Sequence, residues 1–151
     1  MTGPQASFAG QRRTQAWRAV LGEAGRPVPP ALHGDWSAES GYAAGLELAE
    51  SPDCTAVFAA NDQMALGLLR AFHERGLSVP HDVSVVGFDD IPDAAYFVPP
   101  LTTVHQDFAE VGHRCVQKVL QQIRAGEAGR PGTDLVPTRL VVRGSTAAPR
   151  G

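Results

Sequence analysis

The sequence lacks the features that mark membrane, disulfide-rich and metal-binding proteins. It has no apolar run of about 18 residues, the length that a membrane-spanning helix needs. Its two cysteines, Cys54 and Cys115, and its five histidines show no spacing typical of metal ligands. The first residues have neither the basic start nor the apolar stretch of a secretory signal peptide. We therefore expect a cytoplasmic protein without membrane contact, metal or cofactor.

Positive charge is scarce as well. The chain has 13 lysines and arginines against 16 aspartates and glutamates, and Lys118 is the only lysine. The formal net charge is −3. Because binding to the phosphate backbone of nucleic acid needs a basic surface, we expect these 151 residues not to bind DNA by themselves.

The usual sequence signatures of catalysis are also absent. There is no Gly-x-Ser-x-Gly elbow, no Gly-x-Gly-x-x-Gly motif and no Walker-type phosphate loop. The adjacent carboxylates Asp89 and Asp90 would face opposite sides of a regular strand, which suits a paired acid and base poorly. The sequence therefore favours a binding protein over an enzyme.

Short apolar strands alternate with amphipathic helices along most of the chain. The chain is long enough to bury one core, and 43% of its residues are hydrophobic. The patterns predict helices near 7–24, 37–50, 61–75 and 107–125, strands near 28–35, 56–60 and 83–88, an extended segment over 99–107, and one or two strands within 135–143. This alternation predicts an α/β fold, with a parallel sheet and helices on both of its faces.

Polar and aromatic residues follow the ends of the predicted strands. These residues are Asp35, Trp36, Asn61, Asp62, Asp89, Asp90, Gln106, Asp107 and Phe108. Ligands of open α/β sheets bind outside the carboxyl ends of the strands, so these positions predict a binding site. Helix capping is an alternative role for Asp62 and Asp90, because Asp and Asn are preferred N-cap residues. Taken alone, a tryptophan such as Trp36 is more often a core residue than a ligand platform.

The chemistry of this set suits a polyhydroxylated ligand. Carboxylates and carboxamides can each engage neighbouring hydroxyl groups, and an arginine can add further donors. Trp36 and Phe108 offer flat apolar faces for the C–H side of a sugar ring. A nucleobase could stack on the same faces, although the polar groups fit a sugar better.

Four segments together resemble the LacI/GalR family of bacterial transcription regulators, in the order and at spacings similar to those of the family. They are Gly34-Asp-Trp-Ser-Ala-Glu-Ser-Gly-Tyr, Ala59-Ala-Asn-Asp-Gln-Met-Ala-Leu-Gly, Asp82-Val-Ser-Val-Val-Gly-Phe-Asp-Asp-Ile-Pro and Pro99-Pro-Leu-Thr-Thr-Val-His-Gln-Asp-Phe. The resemblance implies the effector-sensing part of a homodimeric regulator, usually a repressor, that a small carbohydrate controls allosterically. It implies ligand contacts from Arg13, Trp36, Asn61, Asp89, Gln106 and Phe108. The assignment of Arg13 rests mainly on the resemblance.

The resemblance also implies domain boundaries. Residues 3–106 and 135–146 would form the C-terminal lobe of a two-lobed, type I periplasmic-binding-protein-like fold, the helix at 107–125 would belong to the first lobe, and 147–151 would be a loose tail. We expect a fragment without the first lobe, without the helix-turn-helix that would contact operator DNA and without a strand before Gly3. The apolar stripe of the helix at 107–125 should then be exposed. A sugar receptor for transport or chemotaxis, which shares this fold, is the competing hypothesis.

Overall fold

A four-stranded sheet, with three parallel strands and one antiparallel edge strand, lies at the centre of the molecule. The structure is a computed structural model, and it describes residues 1–125 and 134–148. The strands, in their spatial order, are β1 (Ala56–Phe58), β2 (Ser84–Asp89), β3 (Thr102–His105) and β4 (Arg139–Val141). β1 to β3 are parallel and β4 is antiparallel to β3. Of the predicted strands within 135–143, the described residues contain only β4.

Four α-helices and one short 3₁₀ helix, which spans Pro92–Tyr96, accompany the sheet. The α-helices are α1 (Phe8–Glu23), α2 (Ala38–Ala49), α3 (Asp62–Glu74) and α4 (Phe108–Ala125). Side chains that accept a backbone N–H cap the first three, namely those of Ser7, Ser37 and Asn61. The predicted N-cap role of Ser37 is therefore confirmed.

The hydrophobic core lies between α3 and one face of the sheet. It contains buried side chains of α3, of the strands and of the residue before β3, among them Met64, Leu68, Phe72, Val85 and Leu101. α2 packs on α3 as an outer layer. On the opposite face of the sheet, Arg13 of α1 lies over the ring of Phe88 in β2. Helices therefore cover both faces, as the alternation of elements predicts.

Met1 and Thr2 form backbone hydrogen bonds beside β1, where we expected no strand before Gly3. The Met1 amine donates to the Phe58 carbonyl at 2.7 Å, and Thr2 N–H donates to the Leu32 carbonyl at 2.8 Å. A single parallel bridge joins Thr2 to His33. Backbone hydrogen bonds on both sides therefore hold these two residues, but they form an isolated bridge rather than a strand. The strand predicted near 28–35 is reduced to the bridge at His33.

The apolar stripe of α4 is exposed, as predicted. Among its side chains, Phe108 is 59% exposed, Val116 is 60% exposed and Ile123 is 71% exposed. No helix within the described residues is long and apolar enough to cross a membrane. Within the predicted loose tail, Ala147 is bonded to β2, because its N–H donates to the Ser84 hydroxyl at 3.2 Å. Residues 149–151 lie outside the described part of the chain.

Candidate ligand-binding site

Three side chains from three parts of the chain meet at the carboxyl end of β2. Asp89 is the last residue of β2, Arg13 comes from α1 and Gln106 follows β3. Asp89 Oδ1 accepts a hydrogen bond from Gln106 Nε2 at 2.7 Å and another from Arg13 Nη2 at 3.2 Å. Within the described residues, no protein hydrogen bond reaches Asp89 Oδ2. This oxygen is left to accept further hydrogen bonds.

The guanidinium of Arg13 forms hydrogen bonds at its edge and contacts aromatic rings at its face. Arg13 Nη1 donates to the Ala60 carbonyl at the end of β1. The carbon at the centre of the guanidinium lies 3.8 Å from the centroid of the Phe88 ring and 5.7 Å from that of Trp36. Cations are attracted to the faces of aromatic rings at such distances. Arg13 therefore lies between two aromatic residues, with one edge toward Asp89.

Phe88 and Asp89 both contact the guanidinium of Arg13, because the backbone at the end of β2 departs from regular strand geometry. Successive side chains of a strand point to opposite faces, which would separate the two residues. Asp89 has φ 115° and Asp90 has φ 55°, both in the region that L-residues rarely adopt. The turned backbone directs the Asp89 carboxylate back over β2, toward Arg13.

Asp90 is directed away from Asp89 and forms a separate ion-pair cluster. Its Oδ1 accepts from Arg143 Nη2 at 2.7 Å, and its Oδ2 lies 2.9 Å from His105 Nδ1. Burial raises the pKa of Asp90, but the hydrogen bonds and charges of Arg143 and His105 outweigh it, so the pKa is lowered. The capping alternative for Asp90 is wrong, because the 3₁₀ helix has no side-chain cap and this carboxylate instead joins the ends of β3 and β4.

Asp62 is a buried structural carboxylate rather than a cap. Its side chain is fully buried, with Oδ1 accepting from the Thr103 hydroxyl at 2.6 Å and Oδ2 accepting from Ile91 N–H at 2.9 Å. Burial raises the pKa of Asp62, and these two hydrogen bonds oppose that rise. The absence of a side chain at Gly87 makes room for it, since a Cβ there would lie 2.2 Å from Oδ1. Asp62 thereby fixes the loop that follows Asp89.

Asn61 and Trp36 are joined at the edge of the same site. Asn61 Oδ1 caps α3 by accepting from Met64 N–H at 2.9 Å, while its Nδ2 donates to the Trp36 carbonyl at 2.9 Å. Trp36 has φ 78°, and its ring lies against Gly3, where a Cβ would come within 2.2 Å of it. The amide of Asn61 is thus largely used within the protein, and it holds the backbone that carries Trp36.

Burial dominates the electrostatics of the Arg13–Asp89 pair. The pKa of the Asp89 carboxyl is raised by burial, although Arg13 and Gln106 oppose that rise. Burial likewise lowers the pKa of Arg13, against the effect of Asp89. Each partner is therefore shifted toward its neutral form. A ligand hydroxyl that donates to Asp89 would supply part of the solvation that the carboxylate has lost.

The chain is similar to sugar-responsive repressors in sequence and in structure. A family model described as the periplasmic binding protein-like domain matches residues 1–146. The lactose operon repressor of Escherichia coli K12 is 41% identical over 150 residues, which cover 99% of this chain and 41% of the repressor. The chain belongs to the LacI family. The part described by that family model is its periplasmic binding protein-like domain.

Solved structures of the LacI family agree with this assignment. The lac repressor dimer bound to operator and the anti-inducer ONPF matches with a TM-score of 0.90 at 40% identity, over 97% of this chain and 51% of that one. The complex of the transcriptional regulator CelR with cellobiose matches with a TM-score of 0.89 at 39% identity, over 96% and 45% of the two chains. The chain spans less than half the length of the lactose operon repressor, of which it covers 41%.

Five of the six predicted site residues of this LacI-family domain lie together. Arg13, Asp89 and Gln106 are hydrogen-bonded, and Asn61 and Trp36 adjoin them. Phe108, the sixth, is exposed at the start of α4, and no ring contact among the described residues joins it to the others. Its role in binding stays a prediction.

Sequence reasoning did not identify Phe88 or the Ala60 carbonyl as parts of this site. An aromatic residue directly before a strand-end aspartate was the available signal for Phe88, but regular alternation places it on the other face of the strand. Nothing in the sequence marks a backbone carbonyl as a partner for arginine. Within residues 1–125 and 134–148, no group of three His, Cys, Asp or Glu side chains is placed to hold a metal ion.

Proposed function

We propose that this chain is the effector-binding part of a LacI/GalR-type transcription regulator, usually a repressor, and that its effector is a small carbohydrate. The observation that carries the proposal is Asp89 Oδ2, which has no protein partner among the described residues and lies beside the donors Arg13 and Gln106. A structure of the CelR regulator with cellobiose, at 39% identity, supports a sugar as ligand.

The site can bind neighbouring hydroxyl groups without reacting with them. One hydroxyl donates to Asp89 Oδ2, and the remaining N–H groups of Arg13 donate to a second oxygen. Trp36 supplies an apolar face at one side of these groups. Asn61 contributes at the edge, and Phe108 would close the site from α4. The relatives are transcription regulators rather than enzymes, which supports binding without catalysis.

We further propose the domain organisation in which residues 3–106 and 135–146 form one lobe of a two-lobed fold. The helix at 107–125 would pack into the first lobe, and the effector would lie between the lobes. A sugar that binds one lobe arrangement more tightly shifts the population toward it. In a cytoplasmic homodimer, that shift would change the affinity of a separate helix-turn-helix domain for operator DNA.

DNA contact through the described residues themselves is disfavoured by their charges. Five arginines are already paired with carboxylates: Arg13, Arg70, Arg75, Arg114 and Arg143. The formal net charge of the chain is −3. DNA binding would therefore belong to another part of the regulator. The regulator is also favoured over a sugar receptor of transport or chemotaxis, because the matched relatives are regulators.

The proposal is tested by thermal unfolding of the protein with and without a panel of mono- and disaccharides. A ligand that binds only the folded state raises the midpoint of unfolding. We expect one class of sugar to raise it for the wild type and not for Asp89→Ala. If no sugar shifts the midpoint of a cooperatively folded protein that also contains the first lobe, a carbohydrate effector is excluded.

A further inference from the structure

We propose that Phe88 is a positioning residue for effector binding, because its ring fixes the plane of the Arg13 guanidinium and so directs the free N–H groups of Arg13 toward the ligand. The inference rests on the proposed function and extends it to a residue that is not itself required to contact the sugar.

The contact between the two side chains is close and well defined. The guanidinium carbon lies 3.8 Å from the centroid of the Phe88 ring, which is stacking distance, whereas Trp36 is at 5.7 Å. Arginine stacks on aromatic faces through both its charge and its flat shape. Phe88 is therefore the principal platform under Arg13, and Trp36 is a more distant neighbour.

Phe88 belongs to the interior of the sheet. Phe88 lies in β2, which is bonded to β3 on one side and to β1 on the other, with Phe88 opposite Val104 in the register. Its ring meets the ring of Phe58 edge to face, with centroids 6.4 Å apart and planes at 79°. This arrangement is a favourable one for aromatic pairs.

Hydrogen bonds alone leave the guanidinium free to tilt. Nη1 donates to the Ala60 carbonyl and Nη2 donates to Asp89, so both bonds lie along the edge of the group. A guanidinium has five N–H donors, and these bonds use two of them. Stacking on Phe88 sets the plane in which the other three lie. Loss of the ring would let Arg13 keep its charge near Asp89 but lose that orientation.

The ligand-binding test compares the same substitution at the two rings of one aromatic pair. Phe88→Leu removes the surface under Arg13, while Phe58→Leu removes the neighbouring ring, which has no described stacking contact with Arg13. Both variants should lose stability, as core truncations do. With the sugar found by thermal unfolding, calorimetry should show affinity about tenfold weaker for Phe88→Leu, as expected for loss of a partly desolvated cation–π contact.

The controls separate positioning from general destabilisation. Phe58→Leu should change affinity by less than about threefold, and Phe88→Tyr, which keeps the ring, should bind about as tightly as the wild type. Wild-type affinity in a folded Phe88→Leu protein would overturn the proposal. An equal loss in Phe58→Leu and Phe88→Leu would also overturn it, because the effect would then come from the core.

A second measurement does not depend on any ligand. In ¹H–¹⁵N NMR spectra, the Nε–H signal of Arg13, assigned with Arg13→Lys, should show an upfield ring-current shift in the wild type and in Phe88→Tyr. An Arg13 signal at the position of a solvent-exposed arginine would overturn the role of Phe88 even if a sugar binds. If the signal is shifted but no sugar binds, the proposal of a carbohydrate effector is contradicted, while the stacking of Arg13 on Phe88 is supported.

Discussion

Asp89 and Asp90 are neighbouring residues of the same type with different surroundings. Both have positive φ, at 115° and 55°. Such backbone conformations cost about 1–3 kcal/mol each for residues other than glycine, so other contacts must maintain them. Asp89 is held by Arg13 and Gln106, and Asp90 is held by Arg143 and His105. After this strained turn, the Asp89 carboxylate lies at the open site, and the Asp90 carboxylate joins the ends of β3 and β4.

At the same scale, Asp89→Ala should weaken effector binding by about 1–3 kcal/mol, the cost of leaving hydrogen-bond partners unpaired. The loss should appear in calorimetry as a lower association constant with the same number of sites. Asp93→Ala is the matched control, since Asp93 is an exposed aspartate on the nearby 3₁₀ helix. If the two variants bind sugar equally well, Asp89 is not a ligand contact.

Effector binding should also depend on pH through Asp89. Burial raises the pKa of this carboxyl, so on acidification it takes up a proton at a higher pH than an ordinary aspartate, whose pKa is about 3.9. Protonation removes the charge that holds Arg13 and accepts the sugar hydroxyl. Affinity should be constant near neutrality and fall in the acidic range, starting above the ordinary aspartate pKa. Calorimetry across a pH series checks this, and constant affinity down to about pH 4 in folded protein would contradict it.

At the scale of elements, Asp62 links the start of α3 to β3 and to the loop after β2. Its two oxygens accept from Thr103 and from Ile91 N–H. Asp62→Ala would leave one buried and one partly buried donor without this acceptor, at about 1–3 kcal/mol for each. Urea unfolding should therefore show a free energy of unfolding lower by about 2–6 kcal/mol. Asp93→Ala, at the exposed surface, should change it by less than about 0.5 kcal/mol. Equal stability of the two variants would mean that Asp62 has no structural role.

The elements were predictable from the sequence to the extent that local patterns determine them. The Ser37 cap and the apolar runs of β1 and β2 depend on neighbouring residues only, and the structure confirms them. The role of Asp62 was not predictable, because its partners Thr103 and Ile91 are 41 and 29 residues away. Local sequence therefore favoured the capping role, which belongs to Asn61.

The same difference applies to the candidate site. Residues that follow strand ends could be placed at one edge of the sheet, and Asp89, Gln106 and Asn61 are there. The position of Phe88 could not be deduced, because the positive φ of Asp89 brings both side chains to Arg13. Strand periodicity gives no information on such a turn.

At the scale of the whole molecule, the apolar surface is concentrated on α4, away from the core. Its side chains Phe108, Val116, Val119 and Ile123 are each more than half exposed. Contiguous exposed apolar surface of this kind favours association, because burying it removes apolar area from water. The α4 stripe is therefore a surface that favours association.

The chain should consequently self-associate through α4, and charges placed on the stripe should prevent it. The double variant Val116→Glu and Ile123→Glu should sediment as a monomer at concentrations where the wild type forms larger species. Its free energy of unfolding should change little, because these side chains are 60% and 71% exposed and a surface substitution costs about 0.5 kcal/mol or less. Gln121→Glu introduces one such charge at an exposed polar position of the same helix and should leave association intact. A wild-type chain that sediments as a clean monomer at high concentration would show that the stripe is not adhesive, and α4 would then be stable in water without a partner.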